Sequence, residues 1–179
     1  MSLYELFLAL HILAVIAWIG SGFLLLVLAN RGANGIDGTV STAFGAAAAA
    51  PGPVVLLIGD VALAHDVGGL LAATRTEARL TIVLLHNDGG GIFDFLPVSA
   101  TQPPEHYVRH VATPHGLDFS HAAALYGCDY ERAEDVEGFR AALRRALAAP
   151  RTAIVAVHTD REANVALHRE VWEAVARAI

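Results

Sequence analysis

The sequence feature that most restricts the fold is an uncharged, apolar run over residues 6–29. As an α-helix that rises about 1.5 Å per residue, this run would reach about 36 Å and cross the ~30 Å hydrocarbon core of a bilayer. The same residues would also suit a soluble fold, with a helix, a Gly-Ser-Gly turn at 20–22 and a buried strand at 23–28. We therefore expect residues 1–28 to be an apolar segment that forms either a transmembrane helix or a helix plus the first strand.

Two observations bear on this choice. Residues 3–19 are apolar on every face of a helix, whereas a helix that covers a sheet usually has a polar stripe, and this favours the membrane interpretation. A glycine-rich loop, Gly32 to Gly38, follows the strand-like residues, and this favours the soluble one. The alternatives stay open at this point.

The rest of the chain alternates between short apolar runs and longer amphipathic stretches. Strands are predicted at 54–58, 80–85 and 153–157, and helices at 38–50, 65–74, 118–126, 136–148 and 161–178. Strands that alternate with helices indicate an α/β fold, a parallel sheet with helices on both faces, here preceded by one very apolar helix. A net charge of −6 without a basic tract disfavours nucleic-acid binding. The single cysteine, Cys128, excludes a disulfide framework within the chain and fits a reducing compartment.

Polar and glycine residues follow two of the predicted strands at the point where each ends. Gly59 and Asp60 come directly after the strand at 54–58, and Asn87 and Gly89 come after the strand at 80–85. In parallel sheets, ligands bind beyond the carboxyl ends of the strands. A carboxylate, an amide oxygen and a backbone carbonyl are hard ligands that suit Mg²⁺, and glycines at 89–91 permit an anion-binding turn. These residues therefore predict a magnesium–diphosphate site.

Simpler interpretations exist for several of the polar residues. Asp60 and Asp66 would serve equally as caps of the helix predicted near residue 65. His106 and His110 have the i, i+4 spacing of a zinc pair, but no third ligand stands at a motif spacing, so metal binding there is disfavoured. Glu134 or Asp135 is expected to cap the helix at 136–148.

Several motifs are similar to those of a known enzyme family. Gly59-Asp60 and Asn87-Asp88, 27 residues apart, resemble the thiamine-diphosphate motif, and the stretches 29–42, 87–93 and 113–119 resemble one branch of that superfamily. The branch is 2-succinyl-5-enolpyruvyl-6-hydroxy-3-cyclohexene-1-carboxylate synthase, of menaquinone biosynthesis. The resemblance covers residues 29–179 and identifies them as a thiamine-diphosphate- and Mg²⁺-binding domain like the one at that family's C-terminus.

The resemblance implies roles for individual residues. Asp60, Asn87 and the carbonyl of Gly89 would hold Mg²⁺ (or Mn²⁺) on the diphosphate. Ile36 would support the bent thiamine diphosphate, Arg31 would meet a substrate carboxylate, and three apolar residues would line the substrate pocket: Ile92, Phe93 and Leu96. The complete set implied for cofactor binding is Gly35, Ile36, Asp37, Gly59, Asp60, Asn87, Gly89, Gly90 and Ile92.

The family decarboxylates 2-oxoglutarate and adds the product to isochorismate, and it uses a glutamate of a pyrimidine-binding domain that has no counterpart in these residues. No complete catalytic set is therefore expected within this chain, and activity would need that domain in trans or a homo-oligomer. The alternative is a non-catalytic or chimeric remnant tethered to a membrane. Residues 1–28 resemble the opening of a small bacterial integral-membrane protein family, which suggests a fusion, a truncation or a recombined reading frame. The expected location is cytoplasmic, with membrane attachment through residues 6–29 if they insert.

Overall fold

The fold is built on one β-sheet, seen in a computed structural model that describes residues 25–26 and 38–178. The five strands lie in the order β1-β2-β3-β5-β4. The pairs β1–β2, β2–β3 and β4–β5 are parallel. The strands are β1 (Leu25–Leu26), β2 (Val54–Gly59), β3 (Leu80–His86), β4 (Asp129–Ala133) and β5 (Ala153–His158).

Helices connect the strands. The α-helices are α1 (Thr39–Ala49), α2 (Asp60–His65), α3 (Ala72–Arg75), α4 (Val98–Thr101), α5 (Pro104–Tyr107), α6 (Phe119–Leu125), α7 (Val136–Ala148) and α8 (Arg161–Ala178). Two 3-10 turns, Val67–Leu71 and Gly91–Phe95, and one π-helical turn, Val108–Ala112, complete the regular structure of the described residues.

The chain divides into two compact units. The first unit comprises the described residues of 1–85 and 118–158, and the second comprises residues 86–117 and the described part of 159–179. The first unit contains the hydrophobic core. On one face of the sheet Leu56, Ile82 and Leu84 pack with α1, α2 and α6, and on the other Val83 and Val155 pack with α7. Helices on both faces of a parallel sheet confirm the predicted fold class.

The long apolar runs predicted the strands well. They were predictable because largely buried parallel strands appear in a sequence as continuous apolar segments. Strands β2, β3 and β5 each extend one residue beyond the predicted end. The helix expected at 65–74 is wrong: α2 begins at Asp60, directly after β2, and a 3-10 turn with a short α3 follows it. Gly68 and Gly69 lie in that turn, and glycine weakens a continuous helix there.

The N-terminal prediction is tested only at residues 25–26. Leu25 and Leu26 form β1, with Leu25 opposite Val55 and Leu26 opposite Leu56. A transmembrane helix that continues to residue 29 is therefore not supported, and the strand agrees with the helix-plus-strand alternative. The other residues of the predicted apolar segment lie outside the described part of the chain. None of the helices that are described is long and apolar enough to cross a membrane.

Candidate functional site

Asp60 lies where β2 ends and α2 begins. In the β2–β3 register Gly59 is opposite Leu85, so the two strands finish at the same level of the sheet. The Asp60 carboxyl group is buried, with 2% of the residue exposed, and its Oδ1 accepts a hydrogen bond from the backbone N–H of Val61 at 2.7 Å. A buried carboxylate is costly unless it is paired with a cation or with several donors, which makes this position suitable for a metal ligand.

The loop after β3 requires glycine for steric reasons. Gly89 has φ +127°, and a Cβ on it would collide with the carbonyl oxygen of Ala112. A Cβ on Gly90 would lie 2.9 Å from the carbonyl oxygen of Val111, and the Gly90 N–H donates to Ala112 O at 2.7 Å. The loop is thus pressed onto the backbone of residues 111–113 and cannot accept larger residues.

The Gly89 carbonyl is the predicted backbone ligand. It accepts a hydrogen bond from the Gly91 N–H at 2.9 Å, and a carbonyl oxygen has two lone pairs. Asn87, two residues earlier, supplies an amide oxygen. The donor set that the sequence predicts, a carboxylate, an amide oxygen and a backbone carbonyl, fits Mg²⁺ chemically. Asp60 belongs to the first unit, and Asn87 and Gly89 belong to the second.

Asp88 stabilises the same loop, and sequence reasoning assigned it no role. It has φ +60°, and its Oδ1 accepts hydrogen bonds from the backbone N–H groups of His115 (3.1 Å) and Gly116 (2.7 Å). His86 adds a second connection: its Nε2 donates to Leu117 O at 3.1 Å while its Nδ1 accepts from the Asp88 N–H. The signal was present, because the loop and the stretch 113–119 both matched family motifs.

The three apolar residues assigned to a substrate pocket lie at the surface of the second unit. Ile92 is 72% exposed, and Phe93 and Leu96 are also exposed. Ile92 and Phe93 belong to the 3-10 turn Gly91–Phe95, which follows the glycine loop, and Leu96 ends it. The structure therefore places an apolar surface next to the predicted metal-binding loop along the chain.

Four predicted site residues lie outside the described part of the chain, namely Arg31, Gly35, Ile36 and Asp37. Asp66 caps a helix, but not the predicted one: its Oδ2 accepts from the Val40 N–H of α1 at 2.5 Å. His106 and His110 have ring centroids 6.3 Å apart, and the described residues contain no cluster of three His, Cys, Asp or Glu side chains suited to a metal ion.

Comparison with known proteins identifies the family. Residues 25–157 match the family described as thiamine pyrophosphate enzyme, C-terminal TPP binding domain. The chain belongs to this family. The match runs from β1 to Val157 in β5 and includes both of the strand ends described above.

Among the relatives are 2-succinyl-5-enolpyruvyl-6-hydroxy-3-cyclohexene-1-carboxylate synthases. The chain is 50% identical to that of Myxococcus xanthus over 153 residues, which cover 86% of this chain and 26% of the relative. It is 46% identical to that of Bacillus velezensis, again over 86% of this chain and 26% of the relative. The resemblance to this synthase branch is confirmed, and the chain spans about a quarter of the length of these relatives.

The solved structures agree with the fold. A thiamine diphosphate-dependent 4-hydroxybenzoylformate decarboxylase of Rhodococcus jostii superposes with a TM-score of 0.57 at 27% identity, covering 66% of this chain and 22% of the decarboxylase. A benzoylformate decarboxylase of Polynucleobacter necessarius, at 22% identity and a TM-score of 0.56, shares the fold; the match covers 69% of this chain and 23% of that one.

Proposed function

We propose that this chain binds the diphosphate of thiamine diphosphate through Mg²⁺ and serves as one part of a carboligase of the menaquinone synthase type. The observation that carries the proposal is the pair of strand ends. A buried carboxylate, Asp60, follows β2, and Asn87 with the sterically obligatory Gly89 follows the neighbouring parallel strand β3. Membership of the thiamine pyrophosphate enzyme family supports the same cofactor.

Each residue would have a separate task in cofactor binding. Asp60 would supply the charged metal ligand, Asn87 the amide oxygen and Gly89 a backbone carbonyl, while the Gly90 turn keeps the loop close to residues 111–113. Thiamine diphosphate, when bound, supplies the electron sink for decarboxylation. The protein contributes position and electrostatics, because a buried site strengthens every charge interaction within it.

The substrate assignment extends the proposal to the second unit. Ile92, Phe93 and Leu96 would form an apolar wall, and Arg31 would bind a carboxylate of 2-oxoglutarate or isochorismate through its planar, bidentate guanidinium group. The synthase relatives support these substrates at the level of the family. The competing proposal is a domain that binds the metal and cofactor without turnover.

Calorimetry tests the cofactor proposal. We expect thiamine diphosphate to bind the chain when Mg²⁺ is present and not when an excess of chelator removes the metal. Asp60→Ala should weaken binding about 100-fold, a loss of about 2.7 kcal/mol, and Asn87→Ala should weaken it less, because the first variant removes a charged ligand and the second a neutral one.

Asp129→Asn is the matched control, since it alters an exposed carboxylate of the first unit that pairs with Arg151 at 3.4 Å. Its affinity should equal that of the unaltered chain. Unchanged affinity in Asp60→Ala would contradict the metal assignment, whereas binding without turnover after addition of a pyrimidine-binding domain would favour the non-catalytic alternative.

A further inference from the structure

The second unit contains a largely buried polar network centred on Asp94. Asp94 lies in the 3-10 turn that follows the glycine loop, and 16% of its side chain is exposed. Its Oδ1 accepts a hydrogen bond from the Tyr107 hydroxyl of α5 at 2.5 Å, and its Oδ2 lies 3.6 Å from Nε of Arg161, the first residue of α8. One carboxylate therefore joins three segments of the unit.

The environment of the Tyr107 phenol strongly favours its protonated form. Burial raises the pKa of Tyr107 to about 12, and the hydrogen bond to Asp94 adds to the effect, since the phenolate would face a carboxylate. The Tyr107 proton therefore stays on its oxygen throughout the physiological range and is donated to Asp94. The hydrogen bond from Tyr107 to Asp94 therefore does not change with pH in this range.

Arg161 connects this network to the glycine loop. A Cβ built on Gly91 would lie 3.3 Å from Cδ of Arg161 and 2.6 Å from Nδ2 of Asn87. The Arg161 stem and the Asn87 amide therefore both border the space beside Gly91 that the missing side chain leaves. Nδ2 of Asn87 is nearer to this Cβ position than Cγ is, at 2.6 against 3.1 Å, so the amide turns its nitrogen towards Gly91 and its oxygen away.

We infer that Asp94 is a positioning residue, which holds the Arg161 stem in the space beside Gly91 and next to the Asn87 amide, and thereby keeps the amide nitrogen towards Gly91 and the amide oxygen available to a metal. This inference rests on the proposed function, in which Asn87 is a metal ligand. The Arg161 side chain is only 24% exposed, and its Nη1 is buried with no hydrogen-bond partner among the described residues. A buried guanidinium depends strongly on its counter-charge, so loss of the Asp94 charge would release Arg161 towards solvent and loosen the packing on Gly91.

Asp94→Asn tests the inference, because it keeps the shape of the side chain and removes its charge. Glu105→Gln is the matched control, since Glu105 is an exposed carboxylate of the same unit. In the cofactor-free protein we expect Asp94→Asn to shift the side-chain amide signal of Asn87 in a nitrogen–proton NMR spectrum. The signal is assigned by its loss in Asn87→Ala, and Glu105→Gln should leave it in place.

Metal affinity supplies the second measurement. At saturating thiamine diphosphate, Asp94→Asn should weaken Mg²⁺ binding about 10-fold, as is typical when a residue that orients a metal ligand is changed. In an Asn87→Ala background the same change should have almost no effect, because Asp94 would act through Asn87. A purely structural role would lower the melting temperature in both backgrounds without this dependence.

The outcomes separate the two proposals. If the unaltered chain binds Mg²⁺ and cofactor but Asp94→Asn leaves both the Asn87 signal and the Mg²⁺ affinity unchanged, the positioning role is wrong. Equal, additive losses in the two backgrounds would also overturn it. If Asp94→Asn moves the Asn87 signal but the unaltered chain binds no cofactor, the proposed function fails. The role of Asp94 in holding the Asn87 amide is then still supported.

Discussion

At the scale of the residue, Cys128 shows how burial alone sets reactivity. Burial raises the pKa of its thiol from an ordinary value near 9 to about 11, and the neighbouring Asp129 carboxylate adds to the effect. We expect alkylation by iodoacetamide at pH 8 to be about 100-fold slower in the folded chain than in denaturant, because only the thiolate reacts. Cys128→Ser gives the background rate, and equal rates in the two states would contradict the prediction.

The raised pKa of Cys128 also predicts how the stability of the fold changes with pH. The folded pKa of Cys128 lies above the unfolded one, so its contribution is complete below about pH 9 and is lost as the pH rises towards about 11. Denaturant unfolding between pH 8 and pH 11 should therefore show a smaller loss of stability in Cys128→Ser than in the unaltered chain. The comparison isolates the thiol from the other groups that titrate in this range.

Some of the site residues could be predicted from the sequence alone and others could not. Asp60 and Asn87 could be singled out because each stands directly after a strand that is itself obvious from its apolar residues. Asp94 could not, because its partners Tyr107 and Arg161 come from other segments, and only the folded chain brings those segments to one carboxylate. Tertiary hydrogen bonds leave no periodic pattern in a sequence.

At the scale of the element, the N-terminus of α1 depends on a side chain from elsewhere in the fold. Gly38 precedes α1 and has no side chain to cap it, and the Asp66 carboxylate accepts the Val40 N–H instead, at 2.5 Å. The 3-10 turn after Asp66 packs closely on α1, since a Cβ on Gly69 would lie 2.9 Å from Cβ of Val40. The cap and the turn together fix where α1 begins, directly after the predicted cofactor loop.

Asp66→Ala should therefore lower the free energy of unfolding by about 2 kcal/mol, because it leaves the N–H of fully buried Val40 without this acceptor. Asp135→Ala is the control: Asp135 caps α7 locally through the Gly138 N–H at 2.7 Å, and its exposed position should limit the loss to about 1 kcal/mol. Chemical denaturation measures both. A smaller loss for Asp66 than for Asp135 would show that the distant cap contributes little.

Helices and strands were predictable where their apolar residues form a clear pattern and not where charged residues obscure it. Helix α7 was predicted with its exact bounds and with Asp135 as a candidate cap, because its apolar residues recur at helical spacing. Strand β4 was missed because Asp129, Glu131 and Arg132 give it the composition of a surface loop. It lies at the edge of the sheet, where charged side chains are usual.

At the scale of the whole molecule, the first unit holds the core and the buried Asp60, and the second holds the glycine loop with the Asp94 network. The fold class followed from the alternation of strands and helices, which is a property of the entire chain. The cofactor followed from motifs at two strand ends. The proposed reaction, by contrast, was suggested by the resemblance alone, and the chain spans about a quarter of the synthases it resembles.

We therefore expect this 179-residue chain, assayed by itself, to show no synthase activity. By resemblance, we expect a glutamate of a pyrimidine-binding domain to activate the cofactor, and the resemblance gives that role to none of the carboxylates in these residues. General acid–base assistance is typically worth about 10²–10⁴-fold, and without a second domain the pyrimidine half of the cofactor would face water, which weakens electrostatic stabilisation further. Release of carbon dioxide from 2-oxoglutarate, with Mg²⁺ and thiamine diphosphate present, should not exceed that of cofactor alone.

Addition of a separately produced pyrimidine-binding domain provides the positive arm of this experiment. Decarboxylation should appear only in the mixture, and Asp60→Ala should abolish it, because the metal would then no longer hold the diphosphate. Asp129→Asn should leave the rate of the mixture unchanged. Decarboxylation by the chain alone that Asp60→Ala removes would contradict the prediction, since it would mean that a carboxylate within these residues takes the place of the family's glutamate.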